Sequence, residues 1–311
     1  MATNEKEELL AELLQSINQH HYGPDVAHIE IHGNEVLGAH LVDGLEVRSE
    51  SFTDGVRVEI RVRAGVVIAK PVHFCFGIIP DNGVQKIISH TVVEAGAEAQ
   101  FMAHCTFPNA VNVQHLMDAT IELHKDATLS YFERHIHGPK GGVTIVPKTV
   151  VYLDENARYS TEFELIQGAA GVVELDYQGY CEKDAVLDMK ARLYGRLNDS
   201  IHIREAVQLK GENAVGVLTS HIALKEQAQA IIENEIVAEA PFSRGHVDCK
   251  EIVQGEAQAR AIPIVFVKDH RAHVTHEAAI GSVDSKQLET LLSRGLNEDE
   301  ATDLIIKGLL S

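Results

Sequence analysis

One short motif recurs along the middle of this 311-residue chain: a polar residue or glycine, then alanine, then a run of strand-forming residues. It stands at Gly96-Ala97, Asp126-Ala127, Asn156-Ala157, Asp184-Ala185, Asn213-Ala214, Gln227-Ala228 and Glu256-Ala257. Successive alanine numbers differ by 30, 30, 28, 29, 14 and 29, a repeat with one half step. Self-similarity at a period of ~20 to 50 residues marks a solenoid or a propeller. From about Val26 to Val267 the texture is short runs rich in Val, Ile, Tyr and Phe, broken by Gly, Asn and Asp, which are strand signals. Alternating apolar strands with no helices between them predict a β-solenoid of two strands per coil. Alanine suits the tight corner where one coil stacks on the next. An antiparallel sandwich with similar turn spacing stays open, because periodicity does not report strand direction.

The flanks read as helices. Residues Asn4 to His21 form one amphipathic helix in this reading, with Asn4 as cap, Glu7 completing a capping box, and Leu9, Leu10, Leu13, Leu14 and Ile17 as an apolar stripe. After Pro263 and the run Ile264-Val265-Phe266-Val267 the period becomes helical again. Asp284 with Gln287 starts one helix and Gly295 ends it; Asn297 with Glu300 starts another that runs to about Leu309. Leu288, Leu291 and Leu292 define an apolar face on the first, and Ala301, Leu304 and Ile305 on the second. These helices either cover the open end of a solenoid or present a docking surface. Three segments are therefore expected: a helical cap over 1–25, the β core over 26–267 and a helical domain over 268–311.

Composition excludes several function classes. Acidic residues outnumber basic ones 46 to 27, giving a formal charge of -19, the wrong sign for a sequence-blind grip on nucleic-acid phosphates. The N-terminal residues are charged, so no export or transit signal is expected there, and no apolar run approaches the ~20 residues that span a bilayer. A cytoplasmic protein with reduced thiols is expected, since Cys75, Cys105, Cys181 and Cys249 form neither a C-x-x-C pair nor a zinc-ribbon spacing. There is no G-x-x-x-x-G-K-[ST], G-x-S-x-G, H-E-x-x-H or dinucleotide glycine fingerprint.

Chemistry is left to the 18 histidines, the thiols and the carboxylates, which gather in three places. The first is His104-Cys105 with His115, followed by Glu133, His135 and His137. These last three alternate along a strand and so share one face, either a nitrogen and oxygen metal surface or an ordinary solvent-facing strand. The second is Ser243 to Glu251, where Cys249 alternates with Asp248 and reads equally as a core residue. The third is Thr275-His276-Glu277, two metal-ligand residue types side by side. Cys75 lies among large apolar residues and reads as a buried, inert thiol; Cys181 is open to either reading.

The residues of the last ~70 positions resemble those of the SufB/SufD core proteins of the SUF iron-sulfur assembly system, in a short archaeal-type form. The resemblance rests on Arg244-Gly245-His246-Val247-Asp248-Cys249-Lys250-Glu251-Ile252, Ile262-Pro263, Thr275-His276-Glu277-Ala278-Ala279-Ile280-Gly281, Leu288 to Gly295 and Glu300-Ala301 through Gly308. It implies a right-handed parallel β-helix with helical ends, and a non-enzymatic scaffold on which a transient iron-sulfur cluster forms from iron and persulfide sulfur. It implies a SufC-type ABC ATPase as partner, hydrolysing ATP in trans and docked on the C-terminal helices, through Leu288, Leu291, Leu292, Ala301, Leu304 and Ile305. It further implies pairing of two core subunits, as a homodimer or with a SufB/SufD-like paralogue, and contact with a sulfur donor and apo-protein acceptors. His276 matches the family's interface histidine and Glu277 the carboxylate after it. The SufB cysteine falls at about Gln258, a departure that leaves Cys249 as the nearest thiol, with His104 and Cys105 as second candidates for sulfur handling. Two other readings stay open: a SufD-like structural partner without its own cluster, and a mononuclear metalloenzyme using Glu133, His135 and His137.

Overall fold

The structure is a computed structural model and describes residues 3–19 and 22–310. Among these, ten strands form one sheet and nine form a second. The chain alternates between them, so each strand pairs in parallel with the strand two along in sequence. Arg244–Val253, for example, lies between Val215–Leu224 and His273–Gly281 in unbroken register. That is a parallel β-solenoid of about 8 turns with two strands per coil. Parallel pairing removes the sandwich alternative; antiparallel pairs occur only at the start, between His28–His32 and Glu35–His40 and between Leu45–Phe52 and Gly55–Val62.

The corners explain the repeat. Gly96, Asp126, Asn156, Asp184 and Asn213 each have φ between 59° and 66°, and the alanine after each is at most 1% exposed. Only glycine, asparagine and aspartate adopt this left-handed conformation routinely, and the methyl group is all the space left inside the turn allows. Neighbouring turns are tied together: Asn156 Nδ2 donates to Asp126 Oδ1 at 2.7 Å and Asn213 Nδ2 to Asp184 Oδ1 at 3.0 Å. The half step of 14 is a move to the opposite corner of the coil. There Leu197, Glu226 and Gly255 are among the left-handed residues, and at Ala228 and Ala257 the turn residue stands two positions before the alanine. Some corners carry no alanine, and two of them show what replaces it. Ser243 follows Phe242 (φ 60°) and bonds through its hydroxyl to the Ala240 carbonyl, and Asp199 accepts the amides of Ala170, Gly171 and Arg196.

Inside, alternate side chains of the two sheets form one continuous apolar core from Ala27 to Ala257. The ends depart from expectation in three respects. Helix α1 covers Thr3–Ser16, so Asn4 is already helical, not a cap; Asn18, at φ 56°, closes the helix with the Asn18 and Gln19 amides on the Gln15 and Leu14 carbonyls. Of the expected run to His21, positions 20 and 21 lie outside the described residues. Strand structure also continues past Val267: His273–Gly281 is a further strand carrying Thr275-His276-Glu277. It was hidden because its neighbour on one side is absent, which leaves no buried-exposed alternation to read. Helices α2 (Ser285–Leu292) and α3 (Glu298–Leu309) carry the expected caps at Asp284 and Asn297. Ile306 and Leu310 seat α3 on the outer face of the solenoid against Tyr194 and Ala223. Tyr194 and Lys225 both bond Asp303, at 2.7 and 3.2 Å.

Enlarging a corner residue should therefore cost stability, and so should forcing the turn conformation. Ala185→Leu is expected to lower unfolding free energy by about 1–3 kcal/mol through overpacking. Asn213→Val should cost about 1–2 kcal/mol, and Asn213→Gly much less, because only the β-branched side chain resists positive φ. Urea midpoints of the three variants check the order.

Candidate functional site

The last two coils carry the first group. Cys249 faces inward from Arg244–Val253 and is 1% exposed. In the adjoining strand its register partner is Ala278, while His276 pairs with inward-facing Val247 and Glu277 with outward-facing Asp248. The pleat therefore puts His276 on the same face as Cys249 and turns Glu277 to the other. Among the described residues no further coil follows, so positions that are interior elsewhere lie open here: His276 is exposed, as are Val265 and Val267 of Gln258–Val267. Gln258 pairs with Gln229 in the second sheet, whereas His276 is in the first, so Cys249 is the thiol beside the histidine strand.

Beneath Cys249 runs a polar network that sequence reasoning missed. Its sulfur donates to Asn234 Oδ1 at 3.2 Å. Asn234 Nδ2 donates to Glu205 Oε2 at 2.9 Å, and Ser220 Oγ donates to the same oxygen at 3.1 Å. Glu205, Ser220 and Asn234 are all buried. Burial pushes Glu205 up to about 7 and Cys249 up to about 12, the latter helped by Glu251 and Glu205. Glu251, two residues beyond Cys249 on the same face, has both oxygens buried without a partner and is raised to about 7, again mainly by burial. Buried polar atoms left unpaired cost about 1–3 kcal/mol each. No local sequence signal could have found this network, since its members come from four strands.

The second group lies near the middle of the solenoid. Cys105, His115, Glu133 and His135 are buried, with one potential ligand atom from each lying within 4.8 Å of the others. Cys105 and the Glu133–His135 pair belong to stacked strands of the first sheet, Glu98–Phe107 and Thr128–His137; His115 reaches across from Asn112–Leu123 in the second. His135 Nε2 meets Glu133 Oε1 at 2.7 Å, and Tyr177 donates to Glu133 Oε2 at 3.4 Å. Both ring nitrogens of His115 are buried without a hydrogen-bond partner. Burial holds His115 and His135 down at about 3, so both rings are neutral, and raises Glu133 and, far above its usual value, Cys105. His137 shares this interior face, yet its Nδ1 is held by the Ala169 carbonyl at 3.0 Å. His104 faces the other way, stacked 6.4 Å from His73 and held at about 4 by burial, because adjacent strand residues alternate. Of the two readings of this face, the solvent-facing one is thus removed: Glu133, His135 and His137 point into the interior. Cys75 and Cys181 are buried and both raised to about 12 by burial.

On the C-terminal helices, Leu292 and Leu304 are exposed, Leu288, Leu291 and Ile305 half-buried, and Ala301 fully buried. An open groove of about 940 Å³ is lined by Ile252, Leu291, Leu304, Ile305 and Leu309. No helix among the described residues is long and apolar enough to cross a membrane.

The family model for the SUF system FeS cluster assembly SufBD core domain matches residues 80–309. An iron-sulfur cluster assembly SufBD family protein of Methanocaldococcus jannaschii is 36% identical over 311 residues, 98% of each chain. Another from Pyrococcus horikoshii is 34% identical over 289 residues, 93% of this chain and 88% of the relative, and one from Archaeoglobus fulgidus is 26% identical over 272 residues, 86% and 68%.

The raised Glu205 gives a pH test with a definite sign. The unfolded chain loses this proton near the ordinary 4.5 and the folded chain near 7, so between them the folded state holds more protons and stability falls as pH rises. Glu205→Gln should flatten that decline between about pH 4.5 and 7 relative to wild type, read from urea midpoints at stepped pH. With all four thiols buried, a charged disulfide reagent should react with none in the native protein and with all four on unfolding.

Proposed function

This chain belongs to the SufBD family of iron-sulfur cluster assembly proteins, and from that premise we propose that it is a scaffold subunit on which a cluster is assembled and then passed on. Iron and sulfide are its cargo. The observation that carries the reading is the end of the solenoid, where Cys249 and His276 share one face of adjoining strands at a coil with no successor. A thiolate with a histidine or carboxylate makes a labile ligand set, suited to holding a cluster that must leave again. Glu277 faces away from that thiol within the chain, so its contribution to the cargo comes from across a junction. The open coil also exposes Val265, Phe266, Val267 and Ile280, an apolar end that a second subunit would cover. That subunit is a second copy of this chain or a SufB/SufD-like paralogue, and it would complete the ligand set.

The chain holds no phosphate-binding loop, so ATP hydrolysis falls to a SufC-type ABC ATPase in trans. Its docking place in this proposal is the groove between α2 and α3, with Leu292 and Leu304 as the exposed anchors and Leu288, Leu291 and Ile305 behind them. Ala301 supports the helix from its buried side. A sulfur donor and apo-protein acceptors work at the same end of the solenoid, in the cytoplasm.

Anaerobic reconstitution with ferrous iron and sulfide tests the ligand set. Wild type should take up iron and acid-labile sulfide, and a Cys249→Ala, His276→Ala variant should lose most of both. Equal contents in the two proteins would sink the assignment, and a wild type that holds no cluster yet binds the ATPase would make this chain the structural partner instead. In pull-down with the ATPase subunit, Leu304→Asp should weaken binding at least about tenfold, as expected when a desolvated apolar anchor is lost.

A further inference from the structure

The geometry points to a closed metal site in the middle of the solenoid, separate from the end-coil cluster site, in which Cys105, His115, Glu133 and His135 hold one divalent transition ion, zinc or ferrous iron. Four donors with ligand atoms within 4.8 Å of one another need only modest shifts to reach the roughly 3.3–3.6 Å spacing of tetrahedral zinc ligands, the 2.7 Å His135–Glu133 hydrogen bond opening as the ion takes its place. The Cys105 sulfur and Glu133 Oε1 are 3.9 Å apart, close to that spacing already.

Two independent features single out this group from the protein's other buried polar residues. The first is His115, fully buried with neither ring nitrogen bonded to anything. Its ring sits 5.7 Å from that of His135 and 5.2 Å from Phe107, aimed from the second sheet at donors on the first. The second is charge. A divalent cation bound by one thiolate, one carboxylate and two neutral imidazoles makes a complex of zero net charge, the form that an apolar interior accepts at least cost. Binding displaces the thiol proton of Cys105, and the carboxyl proton where Glu133 carries one, to solvent. The mixed nitrogen, sulfur and oxygen set suits a borderline ion rather than calcium or magnesium.

All four donors come from the protein, so no position is left for a substrate, and the burial of every ligand closes the site to solvent. The ion's part is to tie the two sheets together across the core and join successive coils, as structural zinc does in small domains. Tyr177, bonded to Glu133, orients that ligand from outside the set. An ion so enclosed enters while the coils close, and chelators should remove it only slowly.

The test is growth in minimal medium with cobalt as the added metal, followed by metal analysis and absorption spectroscopy on the purified full chain. The expected result is about one Co(II) per chain, without acid-labile sulfide, showing a thiolate-to-cobalt charge-transfer band and tetrahedral ligand-field bands. Cys105→Ser should lose the charge-transfer band, and His115→Gln should lower cobalt content at least about tenfold. A Cys75→Ser, Cys181→Ser, Cys249→Ser variant should keep both band and stoichiometry, which decides the matter even where the Cys105 variant fails to fold. A folded wild type with under about a tenth of an equivalent of zinc, iron and cobalt combined would overturn the proposal, as would a charge-transfer band that survives Cys105→Ser or vanishes in the triple variant. Because the end-coil reading is judged by sulfide and by Cys249 and His276, either assignment can fail while the other stands.

Discussion

Register between stacked coils is the constraint on which the rest of this structure depends. Parallel pairing repeats without slippage from Asn82–Val93 to His273–Gly281, apart from one irregularity beside Gln167, so a residue's neighbours are set by adding or subtracting one coil. A column of side chains inside such a stack shares one environment, and a single misfit is felt by the coils on either side. The left-handed corner residues hold that register. By fixing where each strand begins, they decide which half of its side chains face inward.

The corners were also the most legible part of the sequence. Asp126, Asn156, Asp184 and Asn213 announce themselves because few residues tolerate positive φ, and Ala127, Ala157, Ala185 and Ala214 because nothing larger fits. Phe242-Ser243 and Leu197 escaped the pattern: Phe242 and Leu197 take positive φ against local preference with exposed side chains, Leu197 being held through its backbone, whose amide donates to Glu226 and whose carbonyl accepts the Gln227 amide, and Ser243 satisfies the turn with its own hydroxyl. The strand His273–Gly281 was missed for a different reason. Alternation is a record of burial on one face, and a terminal strand with no coil above it leaves no such record.

Sites built inside a solenoid are legible along a sheet and hidden across it. Cys105, Glu133 and His135 lie about one period apart on a single face, so the spacing brings them together in advance. His104 falls away from them by the same alternation, and His115 arrives from the other sheet by a distance that no period encodes. The same holds for the network beneath Cys249, in which Glu205 and Asn234 come from one sheet and Ser220 and the thiol from the other. Both groups place carboxyls and thiols where burial favours their protonated forms. In the dry interior such groups stay neutral unless a positive charge comes to meet them.

The contrast between the two groups follows from where each sits in the stack. At the middle, coils on both sides close over the donors, and whatever is held there is held for the life of the fold. At the end, the same inward-facing column runs out of coils, so Cys249 is buried from below and bounded above only by the strand that carries His276. A thiol raised to about 12 is a poor nucleophile at neutral pH, and it becomes a ligand when a cation lowers its proton affinity. In the proposed scaffold, iron arriving at an open coil end would supply that charge, and a second subunit closing over the end would remove the water that competes with it. The unpartnered oxygens of Glu251 lie on the same column and would gain from the same cation. On that proposal, assembly and release would be governed by how tightly the end is covered, a property of the contact between subunits that leaves the solenoid itself rigid.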